Sequence, residues 1–207
     1  GVYSFCMCPG GIVIPAVTAS RQQVVNGMSA SKRNTRWANA AIVSSVGKEE
    51  LEAAGFYGLF AGMEFQEVIE FKAWEAGGGN LQAPAQKLED FISSVYSENL
   101  PSSSYKPGLV SYRMEMLFPD FFSRRLKEGL KRYARKARGF NSGNALLLGV
   151  ETRTSAPLRV WRDEFGEAGG VSGLFPCGEG AGYAGGILSS AMDGENTADA
   201  VFAKIGK

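Results

Sequence analysis

Histidine is absent from all 207 residues. Its absence excludes Ser-His-Asp triads, Cys-His pairs and His-ligated zinc within this chain. Carboxylates, Tyr, Lys and Cys remain as the available acids and bases. No apolar run approaches the ~18 residues that would cross a bilayer, and no charged-then-apolar leader opens the sequence. Cysteine is scarce: Cys6, Cys8 and Cys177 are an odd number with no C-x-x-C spacing. That argues against a disulfide scaffold, and for a reducing, cytoplasmic compartment and no metal. The formal net charge of +1 singles out no partner.

What is present is an ordinary globular composition, 44% hydrophobic and 21% charged, with 27 glycines. This suits one domain, or one domain and a piece of another. The chain opens on Gly1, and "GVYSFCMC" reads as mid-strand, so a fragment of a longer protein is expected. Four β-rich runs follow in residues 2–46: "VYSFCMC", "GIVIPAV", "QQVVNGM" and "WANAAIVSSV". Residues 61–76 place Phe65, Ile69 and Lys72 with Ala73 on one helical face, stopped by Gly77-Gly78-Gly79. "APAQKLEDFISSVY" reads as a helix starting near Pro84, and "SENLPSSSYKPG" as a loop.

A third helical region is expected over 111–138, with Phe118, Phe122, Leu126, Leu130 and Tyr133 at helical spacing. "ALLLGVETRTSAPLRVWRD" returns to strand character, as does "SGLFPC". The last helix, from about Gly186 to Ile205, would bury Ile187, Ala191, Ala198, Val201 and Ile205. Strands, then helices, then a strand–loop–helix define an α+β fold.

Between that last strand and helix lies "GEGAGYAGG", in which Gly180, Gly182 and Gly185 spell G-x-G-x-x-G. Glycines before a helix N-terminus let a ligand approach free N–H groups and the positive end of the helix dipole. The alternative is a tight turn that needs glycine for geometry alone. Glu179 would repel phosphate yet suits ligand hydroxyls. A carboxylate for hydroxyls beside amides for phosphate suggests a dinucleotide. Only 22 residues follow Gly185, too few for the rest of a βαβ unit.

Two further segments stay open on the residues alone. In "FCMCPGG", Cys6 and Cys8 would share a strand face, as a redox pair or, better, as buried structural thiols. Residues 124–138 hold eight basic residues and one acid, leaving 14 basic and 20 acidic elsewhere. A solvated helix face explains this better than nucleic-acid binding, for which aromatic interleaving is sparse.

Seven blocks, in order, resemble the C-terminal part of the uncharacterised FAD-dependent, or NAD(FAD)-utilising, dehydrogenases of the two-dinucleotide-binding-domain flavoproteins. They are "YSFCMCPGG", "VVNGMS", "RWANAAIV", "GGGNLQAPAQKLEDF", "SSYKPG", "GVETRTSAPLRVWRD" and "GLFPCGEGAGYAGGILSSAMDG". The resemblance implies residues 1–144 as a substrate or cap region. Residues 145–207 would complete a Rossmann-like FAD domain whose N-terminal part lies upstream.

It also implies an FAD-dependent oxidoreductase acting on a small molecule, with NAD(P)H as a candidate electron donor. Gly178, Glu179, Gly180, Gly182, Gly185, Gly186 and Ile187 would contact the cofactor. Glu179 would take the ribityl hydroxyls, and the amides of Gly185, Gly186 and Ile187 the pyrophosphate or flavin O2. Arg153 and Thr154 would line the flavin or substrate pocket, with Cys8 as a further flavin-side candidate; otherwise Arg153 and Thr154 belong to an edge strand blunted by Pro157. No catalytic residue is assigned. The competing class is a non-catalytic interaction module presenting the basic helix 124–138.

Overall fold

The structure, a computed structural model, describes residues 1–206. Helices and small sheets mix in an α+β fold. The chain divides into two compact units, residues 1–55 with 65–152, and residues 56–64 with 153–207.

In the first unit the four expected β runs all form. β1 (Val2–Pro9) pairs antiparallel with β4 (Ala38–Ser44), and β2 (Gly11–Pro15) with β3 (Val25–Ser29). A short helix, α1 (Lys48–Ala53), follows β4; the Glu50 carboxylate accepts the Gly47 N–H at 2.9 Å and closes its first turn. The helix expected at 61–76 is α2 (Ala61–Ala76), with Phe65, Ile69 and Ala73 buried and Lys72 exposed.

A three-stranded sheet has β5 (Ala83–Lys87) at its centre. β6 (Leu109–Ser111) runs parallel to it and β7 (Leu146–Leu148) antiparallel. Here the expected helix from Pro84 is wrong by one element. Residues 83–87 are a strand, and the helix α3 is confined to Leu88–Ser93. Ala83, Ala85 and Gln86 are fully buried, and this small-residue segment is the central strand, paired along both edges. Pro84 is tolerated because it lies opposite Gly149, just past the ladder to β7, where a missing N–H costs little. Gln86 meets its burial with two bonds: its amide donates to the Val95 carbonyl at 2.6 Å, and its carbonyl accepts the Met114 N–H at 2.8 Å.

The region expected to be helical over 111–138 is split. β6 ends at Ser111, a 3-10 turn covers Met114–Leu117, and α4 (Asp120–Lys136) begins after Pro119. Leu126 and Leu130 are buried at i,i+4, while Phe118, Phe122 and Tyr133 are half-buried. Phe91, Leu117 and Leu130 are the largest fully buried apolar side chains, and Val25, Ala83 and Tyr105 form a core cluster.

The strand expected over 145–163 shrinks to β7. Because β7 pairs with β5, the first unit runs on to Thr152. "SGLFPC" forms no strand either: residues 174–177 find no ladder partner among the described residues. Strand character in sequence needs a neighbouring strand to become structure, and the described residues of the second unit offer none. That unit has one long helix, α5 (Ile187–Ile205), and an isolated bridge between Arg162 and Ala168.

Candidate dinucleotide-binding loop

The glycines of 178–186 fall into two groups. Gly178 and Gly182 have φ of +71° and +83°, and a Cβ at Gly182 would lie 2.5 Å from the Leu158 carbonyl oxygen. These two are required by backbone geometry. Gly180 and Gly185 have open space where a Cβ would go. Nothing in this chain demands glycine there, and both leave the backbone approachable.

One ion pair holds the loop in place. Asp193, on the second turn of α5, takes Arg162 Nη2 at 2.6 Å and Nη1 at 3.1 Å, and also accepts the Gly178 N–H at 2.8 Å. Arg162 further donates to the Pro176 carbonyl at 3.0 Å. The Arg162 hydrogen bonds, then the Gly178 N–H, hold the Asp193 carboxyl below the usual aspartate range. On the other side of the turn, the Tyr183 hydroxyl accepts the Arg162 N–H at 3.2 Å and donates to the Val160 carbonyl at 3.0 Å. The guanidiniums of Arg159 and Arg162 lie 5.0 and 3.7 Å from the Tyr183 ring centre. Arg159 Nε donates to the Gly182 carbonyl at 3.0 Å.

The loop so held presents its functional groups outward. Glu179 is exposed, and its carbonyl accepts the Gly182 N–H at 2.9 Å. Gly185, Gly186 and Ile187 are exposed, and no hydrogen bond among the described residues uses their backbone N–H groups. With the helix behind them, these three amides form an anion-directed end. The hydroxyls of Ser190 and Thr154 are buried without a hydrogen-bond partner. Arg153 is exposed on the irregular stretch before Pro157. The structure thus joins the predicted glycines, Glu179 and Ile187 in one loop, while Arg153 and Thr154 lie on a separate segment.

Sequence reasoning missed Asp193, Arg162 and Tyr183. The i,i+4 pair Asp193 and Thr197 is the signal the sequence offers for them. Thr197 is buried and donates to the Asp193 carbonyl at 2.7 Å. The face of α5 turned inward carries Ser190, Asp193 and Thr197, about a quarter-turn from the expected apolar stripe. Ile187, Ala191, Ala198 and Ile205 are exposed instead, with Leu188, Met192 and Phe202 beside them.

The cysteines also depart from expectation. Cys6 is exposed and Cys8 half-buried, because a β-bulge between Phe5 and Cys8 takes this stretch out of register. On α4, part of the basic run is used internally. Arg125 pairs with Glu50, Lys127 Nζ lies 2.7 Å from Ser94 Oγ and 3.7 Å from Glu115, and Lys131 is 2.9 Å from Glu128.

The fold is α+β, and a glycine-rich loop leads into its last helix. The sequence model of the family described as "FAD-dependent protein, C-terminal domain-like" matches residues 1–154. The chain belongs to that family. A Clostridium beijerinckii protein described as "Uncharacterized protein" is similar to it, 42% identical over 208 residues. The match covers 99% of this chain and 38% of that relative, so the chain spans well under half of the relative's length. The glycine loop lies beyond the family match and within the alignment to the relative. No helix among the described residues is long and apolar enough to cross a membrane.

Proposed function

We propose that the chain is the C-terminal part of an FAD-dependent oxidoreductase of the NAD(FAD)-utilising dehydrogenase type. In this reading residues 153–207 complete an FAD domain supplied by the rest of the polypeptide, and the first unit shapes the substrate side. The observation that carries it is the run of unengaged amides at Gly185, Gly186 and Ile187. They open a 19-residue helix behind two glycines with open approaches. Such a site fits a pyrophosphate or the flavin O2. Bound FAD supplies the hydride and electron chemistry. This chain's part is to orient it: Glu179 accepts ribityl hydroxyls, and Arg153 and Thr154 face the ring or the substrate.

Two facts support the division of labour. The family match is to a C-terminal domain of FAD-dependent proteins. The apolar side of α5 is exposed, as expected of a helix that packs on the remaining FAD domain. A small-molecule substrate, NAD(P)H as electron donor and a cytoplasmic location complete the proposal.

The test is Glu179→Ala in the full-length protein. Loss of a charge-assisted hydrogen bond worth about 1.5–3 kcal/mol lowers FAD affinity on the order of tenfold to a hundredfold, with folding retained. Unchanged affinity in a flavin titration moves Glu179 off the cofactor.

A further inference from the structure

The "FCMC" segment belongs to the first unit, and none of its residues is among those the proposed function assigns to the cofactor. Three observations meet there. First, neither thiol is in a disulfide and neither is in the core: Cys6 is exposed, Cys8 half-buried. Second, the backbone is unusual. β1 pairs Phe5 with Ala41 and Cys8 with Asn39, so Cys6 and Met7 bulge from the ladder, and Cys6 has a φ of +49°. A left-handed conformation is disfavoured for a residue with a side chain and is retained where the surroundings enforce it. Third, residues 1–46 contain no Asp or Glu, but they do contain Arg21, Lys32, Arg33 and Arg36.

The geometry brings these features together. Cys8 Sγ donates to the carbonyl of Cys6 at 3.3 Å, which holds one sulfur over the other residue's backbone. Gly11 packs on Cys8, since a Cβ there would lie 2.7 Å from Cys8 Cβ. The loop bearing Lys32, Arg33 and Arg36 is fastened to the corner after Cys8. Thr35 Oγ1 donates to the Gly11 carbonyl at 3.2 Å, and a Cβ at Gly10 would meet the Arg33 carbonyl oxygen at 2.0 Å. A pair of thiols on an acid-free stretch of chain, joined to a loop carrying three cations, suits an anionic reaction partner.

We propose that Cys6 and Cys8 form a surface dithiol that exchanges with small anionic disulfides. The Cys6 thiolate, the more exposed, attacks one sulfur of the disulfide RSSR. A Cys6–SR bond forms and one RS⁻ leaves. Cys8 then loses its proton and its thiolate attacks Cys6 Sγ, forming the Cys6–Cys8 bond and releasing the second RS⁻. Two thiols are oxidised to one disulfide, and one RSSR is reduced to two RSH once the two released protons are taken up. The bulge lets the pair close outside the β1–β4 ladder. The small C-x-C ring is strained and therefore readily reduced again, as an exchange site requires and a structural disulfide does not.

The experiment uses the reduced full-length protein, equilibrated with mixtures of glutathione and glutathione disulfide, acid-quenched, alkylated and mapped by peptide mass. The expected result is an internal Cys6–Cys8 link, two hydrogens lighter than the dithiol. Its effective concentration should be about tenfold or more above that of the same chain in denaturant. Cys8→Ser should stall with glutathione on Cys6, and Cys6→Ser should slow reaction at Cys8. Cys177, exposed and far away in sequence, is the internal reference. Independent alkylation of Cys6 and Cys8 at every ratio overturns the proposal. So does a link that forms no better in the folded chain than in the denatured one.

Discussion

The Asp193 carboxylate binds three donors, two from Arg162 and one from Gly178. Its side chain is 15% exposed and that of Arg162 20%, so the pair is shielded well beyond a surface bridge, whose contribution is small. Asp193→Asn should lower the stability of the loop by about 1–3 kcal/mol, because a charged acceptor is lost and Arg162 keeps its charge. Faster hydrogen exchange at the Gly178 and Tyr183 amides is the measurement; unchanged exchange would show the pair idle. Arg162 depresses the Asp193 pKa in the folded chain. The stabilisation is therefore fully present above the ordinary value of 3.8 and is lost as pH falls through the lower folded value. The gap between wild type and Asp193→Asn should close with acidification through that window.

Among the elements, α4 shows how closely a helix can be fitted to a strand. Gly129 is buried, and a Cβ there would lie 2.6–2.8 Å from the side-chain carbons of Val2. Gly129→Ala sets a helix-propensity gain of about 1 kcal/mol against an overpacking cost of about 1–3 kcal/mol. Val2 is β-branched and stiff at χ1, so it yields poorly and the clash should win. The expected outcome is a lower denaturation midpoint; a raised one would show β1 moving aside. α5 presents the opposite case. Its inner face is polar because the loop needs Asp193 and Thr197, and its apolar stripe is left outward for another surface.

For the whole molecule, the proposal divides FAD between two parts of one polypeptide. FAD binding in this class of fold relies on a first βαβ unit, whose glycine turn and ribose-binding acid hold the ADP half. The described residues contain no βαβ unit of that kind. The glycine loop offers a few amides and one carboxylate, and the association cost consumes most of that contact energy. The 207-residue chain purified alone should therefore be colourless. It should bind FAD with at best millimolar affinity, about −4 kcal/mol. Stoichiometric yellow flavin on the isolated chain would falsify the divided site.

Local pattern alone determined the four strands of residues 2–46, the helix at 61–76, the long final helix and the glycine loop between Gly178 and Gly186. Each rests on a period or on punctuation that a short stretch of chain contains within itself. Tertiary structure decided the rest. Residues 83–87 became a strand because β6 and β7 pair with both of its edges, an environment that Ala-Pro-Ala-Gln does not announce. Residues 174–177 formed no strand because a strand exists only with a neighbour. The inner face of α5 was chosen by Arg162 and Gly178, distant in sequence from Asp193, whose pull on one carboxylate outweighed the stripe's hydrophobicity in the absence of an apolar partner. The thiols of Cys6 and Cys8 left the core because a bulge, which alternation cannot foresee, broke the β1 register. Period is a local property; burial depends on what the rest of the fold brings alongside.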